Sequence, residues 1–172
     1  GQIKAVKGLD VLLRAMPKVK ENAVLFVVGK CWKQGLHDYT LLVNELGIEN
    51  RVFFKNKFIK NSDVPFFFWS ADAVILPYKK IYSSGVVLRA MDYGCPVVCS
   101  DLTPLTSVIN NNQTGLIFKS EDSDDLAEKI NYLLDNSELA DNMKLSAKNF
   151  IEKNYSWQIV AQSTHKIYEE LV

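Results

Sequence analysis

Uninterrupted apolar runs at 23–28, 52–54, 73–76, 96–99 and 115–118 alternate with stretches whose apolar residues recur at helical spacing. A strand that is apolar at every position needs cover on both faces, which is the setting of a parallel sheet. Strand–helix alternation delivers parallel strands through right-handed crossovers. The expected fold class is α/β: a doubly wound, Rossmann-like parallel sheet flanked by helices, with ligands beyond the carboxyl ends of the strands. The chain has 172 residues, 48% of them apolar, enough for one domain over 1–172 with its own core. No repeat, low-complexity segment or interior linker interrupts it.

The spacing predicts a helix over 9–19, with Leu9, Leu12, Leu13 and Met16 on one face and Pro17 cutting its last turn. Further helices are predicted over 36–46, stopped by Gly47, and over 62–70, with Ser62 as cap and Pro65 in the first turn. A fourth covers 84–93 and a short one 105–110. Three more close the chain, on faces carrying Leu126, Ile130, Leu133 and Leu134, then Leu139, Met143, Ala147 and Phe150, then Trp157, Val160, Ile167 and Leu171. The aromatic run Phe66-Phe67-Phe68-Trp69 reads as core and helix-packing surface.

Twenty basic residues cancel twenty acidic ones, so no long-range field recruits nucleic acid or an anionic membrane, and Lys55, Lys57, Lys60, Lys79 and Lys80 read as a solvated face. Cys31, Cys95 and Cys99 form no CxxC pair, and the last two flank a buried strand. They read as reduced packing thiols, which points to a cytoplasmic protein. His37 and His165 lack partners at metal-ligand spacing, so no metal site is expected. Neither GxGxxG nor GxxxxGK[ST] occurs, and Gly29-Lys30-Cys31 does not substitute for them. No run approaches the roughly 20 apolar residues of a membrane span. Opening on Gly1 in a loop, the sequence reads as a piece of a longer polypeptide.

The candidate chemistry gathers at Ser84-Gly85-Val86-Val87-Leu88-Arg89, after the polar loop 79–83. Ser84 can cap the helix and Gly85 leaves its first turn without a side chain. The N–H groups of Gly85, Val86 and Val87 then face a ligand, and with the positive end of the helix dipole they suit a phosphate. Lys7, before Gly8 at the start of the first helix, brings a point charge to the same end of the sheet, and the Arg89 fork is a further phosphate or ribose donor.

The order of motifs resembles the carboxyl-terminal domain of the family-4 glycosyltransferases, which have the GT-B architecture. Gly1-Gln2-Ile3 and Lys7-Gly8-Leu9-Asp10 are similar to that family's opening loop and helix start, and Val27-Val28-Gly29-Lys30 to its second strand and turn. Arg51-Val52-Phe53-Phe54 with Asn56-Lys57 resembles the third strand and the loop near the base. Ala71-Asp72-Ala73-Val74-Ile75-Leu76-Pro77-Tyr78 resembles the strand leading to the site. Ala90-Met91-Asp92-Tyr93-Gly94-Cys95-Pro96-Val97-Val98 is close to the helix-to-strand signature, and Asn112-Gln113-Thr114-Gly115 and Tyr155-Ser156-Trp157 fit as well.

The resemblance implies transfer of a sugar from a nucleotide diphosphate donor, the substrate, without a cofactor, in surface polysaccharide or glycolipid synthesis. This chain would be the donor-binding half. Lys7, Ser84, Gly85, Val86, Val87 and Arg89 would hold the diphosphate, with Gln2, Ser83 and Lys57 as further donor contacts. It also implies an amino-terminal acceptor domain and a first strand preceding Gly1. Peripheral contact with the inner face of a membrane would run through that other half. The family's paired glutamates fall on Ile81 and Arg89, its later glutamate on Ser107, and the arginine of its opening loop on Gln2, so no catalytic residue carries over. Those replacements also suit a degenerate domain acting as a non-catalytic binding module.

Overall fold

The computed structural model describes residues 1–31 and 35–170. It contains five strands and eight helices among those residues. In chain order they are α1 (Leu9–Ala15), β1 (Leu25–Val28), α2 (His37–Glu45), β2 (Val52–Lys55), α3 (Val64–Trp69), β3 (Val74–Leu76), α4 (Gly85–Asp92), β4 (Val97–Ser100), α5 (Thr103–Thr106), β5 (Leu116–Phe118), α6 (Ser123–Asp135), α7 (Ser137–Asn154) and α8 (Trp157–Glu170). Pro17 ends α1 as expected, the chain tightening there into a 3-10 turn over Met16–Lys18.

All strand pairs are parallel, in the α/β arrangement the alternation predicts. They fall into two sheets, β1–β2 and β3–β4–β5, with no hydrogen-bonded ladder between β1 and β3. Residues 1–3 run parallel to the end of β1: the Gly1 amine donates to the Val28 carbonyl (3.2 Å), the Ile3 N–H to the Lys30 carbonyl (3.0 Å), and Ile3 bridges Cys31.

Strand β4 is buried at all four positions. Its alternate side chains serve two cores, as the two-residue period of a strand requires. Val98 joins Leu9, Leu13, Phe118, Leu126 and Ile130, where α1 and α6 pack, while Val97 and Cys99 join Val87, Met91, Leu105 and Ala147, where α4 and α7 pack. The β1–β2 pair departs from the expectation of cover on both faces. Phe26 and Phe53, opposed in register, are 60% and 45% exposed and stack with centroids 5.2 Å apart. The pair is covered on the side of α1 and α2, and the two rings cover each other on the open side.

Two more expectations change for the same reason, that an apolar face does not specify its own neighbour. Phe68 packs on the second core and on Tyr93, but Phe66 and Trp69 are each 64% exposed and α3 has no buried residue. Helix α8 also buries nothing: Trp157, Val160 and Ile167 all face solvent, and Leu171 lies outside the described residues. Ser62 does not cap α3; its hydroxyl bonds the Asp63 carboxylate, and Asp63 holds the cap position without a side-chain bond to the helix.

Burial pushes the thiols of Cys95 and Cys99 up to about 12 from 9.0. Between those values the unfolded chain releases protons that the folded chain retains, so both thiols lose stability as pH rises above 9. Each contributes about 1 kcal/mol of loss by pH 10. Under reducing conditions, the change in melting temperature between pH 8 and 10 is expected to shrink in a Cys95→Ala/Cys99→Ala variant. An unchanged slope would show that these thiols ionise as freely folded as unfolded.

Candidate functional site

Two tight approaches bring the first loop against the exit of β3. Gly8, at φ +64°, begins α1, and a Cβ there would overlap the Pro77 carbonyl, whose carbon lies 2.9 Å away. Beside it the Lys79 N–H donates to the Val6 carbonyl (3.0 Å). Only glycine combines that left-handed geometry with that contact. At the end of β1, Gly29 makes room in the same way for the Gly1 carbonyl. Gly1 in turn lies against the first turn of α4, with Val86 Cγ2 3.9 Å from where its Cβ would stand.

These contacts fix the loop that carries Lys7. Its ammonium lies 3.8 Å from the centroid of the Tyr78 ring and is near enough to Gly1 to lower that amine, second to burial. The neighbouring lysine is neutralised: Lys79 pairs with Asp10 at 2.7 Å and with Glu121 at 3.9 Å.

Ser84 takes the cap position of α4 in extended geometry (φ −141°, ψ 105°), yet its side chain makes no capping bond. The Ser84 hydroxyl oxygen is buried and has no partner. That differs from the expected cap and leaves one more unused donor at the helix start. Gly85 stands over open space, with no atom within 4 Å of where a Cβ would be. An α-helix leaves its first N–H groups without intrahelical acceptors. Among the described residues, no carbonyl outside the helix takes those of Gly85, Val86 or Val87.

This end of α4 opens on a cleft of about 410 Å³, with Ser83, Ser84 and Gly85 on one side and Thr103, Pro104 and Ser107 on the other. Of the predicted contacts, Ser83, Ser84, Gly85 and Val87 line this cleft, Val86 lies in the same first turn against Gly1, and Lys7 lies outside the lining, over the Tyr78 ring. Three others do not line it either. Arg89 is exposed in the last turn of α4, where a cation suits the dipole, and does not line the cleft. Lys57 is exposed on the loop after β2, and Gln2 is exposed in the opening loop. The sequence reading missed Thr103 and Tyr78. Thr103 was in reach of it, because α5 follows the strand next to β3 and starts at the same end of the sheet. The site is therefore a set of backbone and hydroxyl donors, with the Lys7 ammonium, which has no carboxylate partner among the described residues, on the adjoining loop, and this suits a polyanionic ligand.

The family described as Glycosyl transferases group 1 matches residues 1–150. An uncharacterized glycosyltransferase of Methanocaldococcus jannaschii is 29% identical over 98% of this chain, which spans 43% of that relative. Among solved structures, Anabaena HepE in complex with UDP superposes with a TM-score of 0.90 at 20% identity, over 99% of this chain and 47% of HepE. The C-terminal domain of the group 1 family protein LpcC from Francisella tularensis matches with a TM-score of 0.82 at 18% identity, over 91% of this chain and 84% of that domain. The chain thus spans about half the length of the full-length proteins it resembles. With the fold, the motif order and the family match in agreement, the chain belongs to the group 1 glycosyl transferases.

Proposed function

We propose that this chain is the donor-binding half of a glycosyltransferase that moves a sugar from a nucleotide diphosphate onto an acceptor in surface polysaccharide or glycolipid synthesis. The observation that carries the reading is the open start of α4. Among the described residues its first N–H groups have no acceptor outside the helix, Gly85 stands over open space, and Gly1 of the loop that carries Lys7 packs against its first turn. As the bond from the anomeric carbon to the diphosphate oxygen breaks, the electron pair leaves with the nucleoside diphosphate. Fixed donors at that oxygen stabilise the departing charge more than the ground state.

The acceptor site belongs, in this reading, to a second α/β half that precedes Gly1. The length of the relatives and the match to a C-terminal domain support it. A strand before Gly1 would pair with β1 and β3 and join the two sheets; the parallel register of residues 1–3 along β1 supports that placement. The apolar stripe Trp157, Val160 and Ile167 is surface that one domain alone leaves uncovered. The reduced thiols favour the cytoplasm, and among the described residues no helix is long and apolar enough to cross a membrane. By itself the chain is expected to bind nucleotide weakly and transfer no sugar.

A Gly85→Asp variant tests the site. A carboxylate in the first turn suits the helix dipole, so the melting temperature should hold or rise. The same charge opposes a diphosphate a few ångströms away, and UDP affinity measured by calorimetry should fall about tenfold or more. Equal UDP affinity in both proteins would remove the ligand from the α4 start. Ile81, Arg89 and Ser107, in place of acidic residues, favour the second reading, a non-catalytic binding module. Sugar transfer by the longer polypeptide would exclude that reading.

A further inference from the structure

We propose that Tyr78 is a positioning residue whose ring holds the Lys7 ammonium, with its charge unspent, for the donor diphosphate. The proposal rests on the donor-site reading above. Lys7 Nζ stands 3.8 Å from the ring centroid, well within the roughly 6 Å of a cation–π contact. Tyr78 is itself fixed. It is 5% exposed and belongs to the core beneath α4. Its carbonyl accepts from the Ser120 hydroxyl at 3.2 Å, and the residues on either side of it are tied to the opening loop: Pro77 is packed against Gly8, and the Lys79 N–H is bonded to Val6.

A lysine side chain carries substantial rotamer freedom, and ordering it only when the ligand arrives weakens binding. A carboxylate would order it too, but would cancel the charge, as Asp10 and Glu121 do for Lys79. An aromatic face attracts the cation through its quadrupole and supplies no counter-charge. The ammonium therefore keeps its N–H donors and its charge for an incoming anion. Two neighbouring lysines are thereby given different uses: Lys79 ties α1 to the β3 exit, and Lys7 is kept for the ligand.

The test uses the whole chain, with UDP as the probe. Tyr78→Phe retains the ring and is expected to bind within about twofold of the parent. Tyr78→Leu is expected to bind about 3- to 10-fold more weakly, the range of one cation–π contact. In a Lys7→Met background, Tyr78→Leu should change nothing further; a merely structural tyrosine would weaken binding in both backgrounds.

Because Tyr78→Leu removes a buried ring, phenylalanines carrying one, two and three fluorines at position 78 provide a series that preserves the packing. Affinity should fall stepwise as the ring loses electron density. A flat series with intact UDP binding overturns the proposal. A second readout needs no ligand: the Lys7 side-chain methylene resonances should show a ring-current shift that Tyr78→Phe keeps and Tyr78→Leu abolishes. If that shift is present and the parent chain fails to bind UDP, the donor-site reading falls while the lysine–ring contact stands. If the shift is absent, the contact itself is refuted.

Discussion

Replacing Lys7 with alanine lowers UDP affinity about 10- to 100-fold and leaves the melting temperature nearly unchanged. The magnitude follows from the roughly 1.5–3 kcal/mol that a hydrogen bond to a charged partner contributes, at 1.4 kcal/mol per factor of ten. Stability is spared because Lys7 is only half-buried and its ammonium rests on a ring, so its removal orphans no buried charge. The control is Lys79→Ala. That lysine lies next to the same ring residue in sequence, but Asp10 and Glu121 already neutralise it. It should change UDP affinity by less than about threefold, while the loss of its part-buried pair takes about 1 kcal/mol from stability. Calorimetric titration and thermal unfolding of the two variants separate a ligand-directed charge from a structural one. Equal UDP binding by Lys7→Ala and the parent chain would show that the ammonium serves no diphosphate.

That contrast also marks how far the sequence could be read. Lys7 was legible because it precedes a glycine at a helix start, an end where a cation is electrostatically misplaced without a ligand. The α4 start was legible for a similar reason: serine and glycine open a helix between two fully apolar strands, and chain order alone sends that turn to the carboxyl edge of the sheet. What a side chain meets there is a tertiary fact. Ser84 has the right residue type and backbone for a cap, yet its hydroxyl makes no capping bond and is left unpaired. Arg89 lies one turn along the same helix from Gly85, and its position in the last turn leaves it outside the cleft. Tyr78 read as the tail of a strand, and nothing in the local pattern shows that its ring would lie beneath a lysine seventy-one residues earlier. The apolar period likewise identified the β1–β2 and α8 faces as built for burial, but Phe26, Phe53 and Trp157 remain open, because periodicity specifies a face and not its cover.

The steepest stability loss is expected at Gly8, and it should carry the site with it. Gly8→Ala places a methyl group on a residue at φ +64°, which alone costs about 1–2 kcal/mol. Gly47 is the control, because it has nearly the same backbone, φ +65°, and no atom within 4 Å of where a Cβ would be. Gly47→Ala should therefore cost only the conformational term. For a domain of this size that is a few degrees of melting temperature. At Gly8 the methyl group would also overlap the Pro77 carbonyl, a backbone atom that cannot rotate aside. The start of α1 and the exit of β3 must then separate, which strains the bond from the Lys79 N–H to Val6 and lifts Lys7 from Tyr78. We expect a total loss of about 3–5 kcal/mol, in the range of the larger effects of single substitutions. At temperatures where the variant is still folded, its UDP affinity should fall as far as that of Lys7→Ala. Similar melting temperatures for Gly8→Ala and Gly47→Ala would mean that the two segments are not wedged together. A large stability loss with UDP binding intact would mean that the wedge exists but does not position the lysine. Gly8 couples the two outcomes because the contact that admits no side chain is also the one that sets the ammonium over its ring.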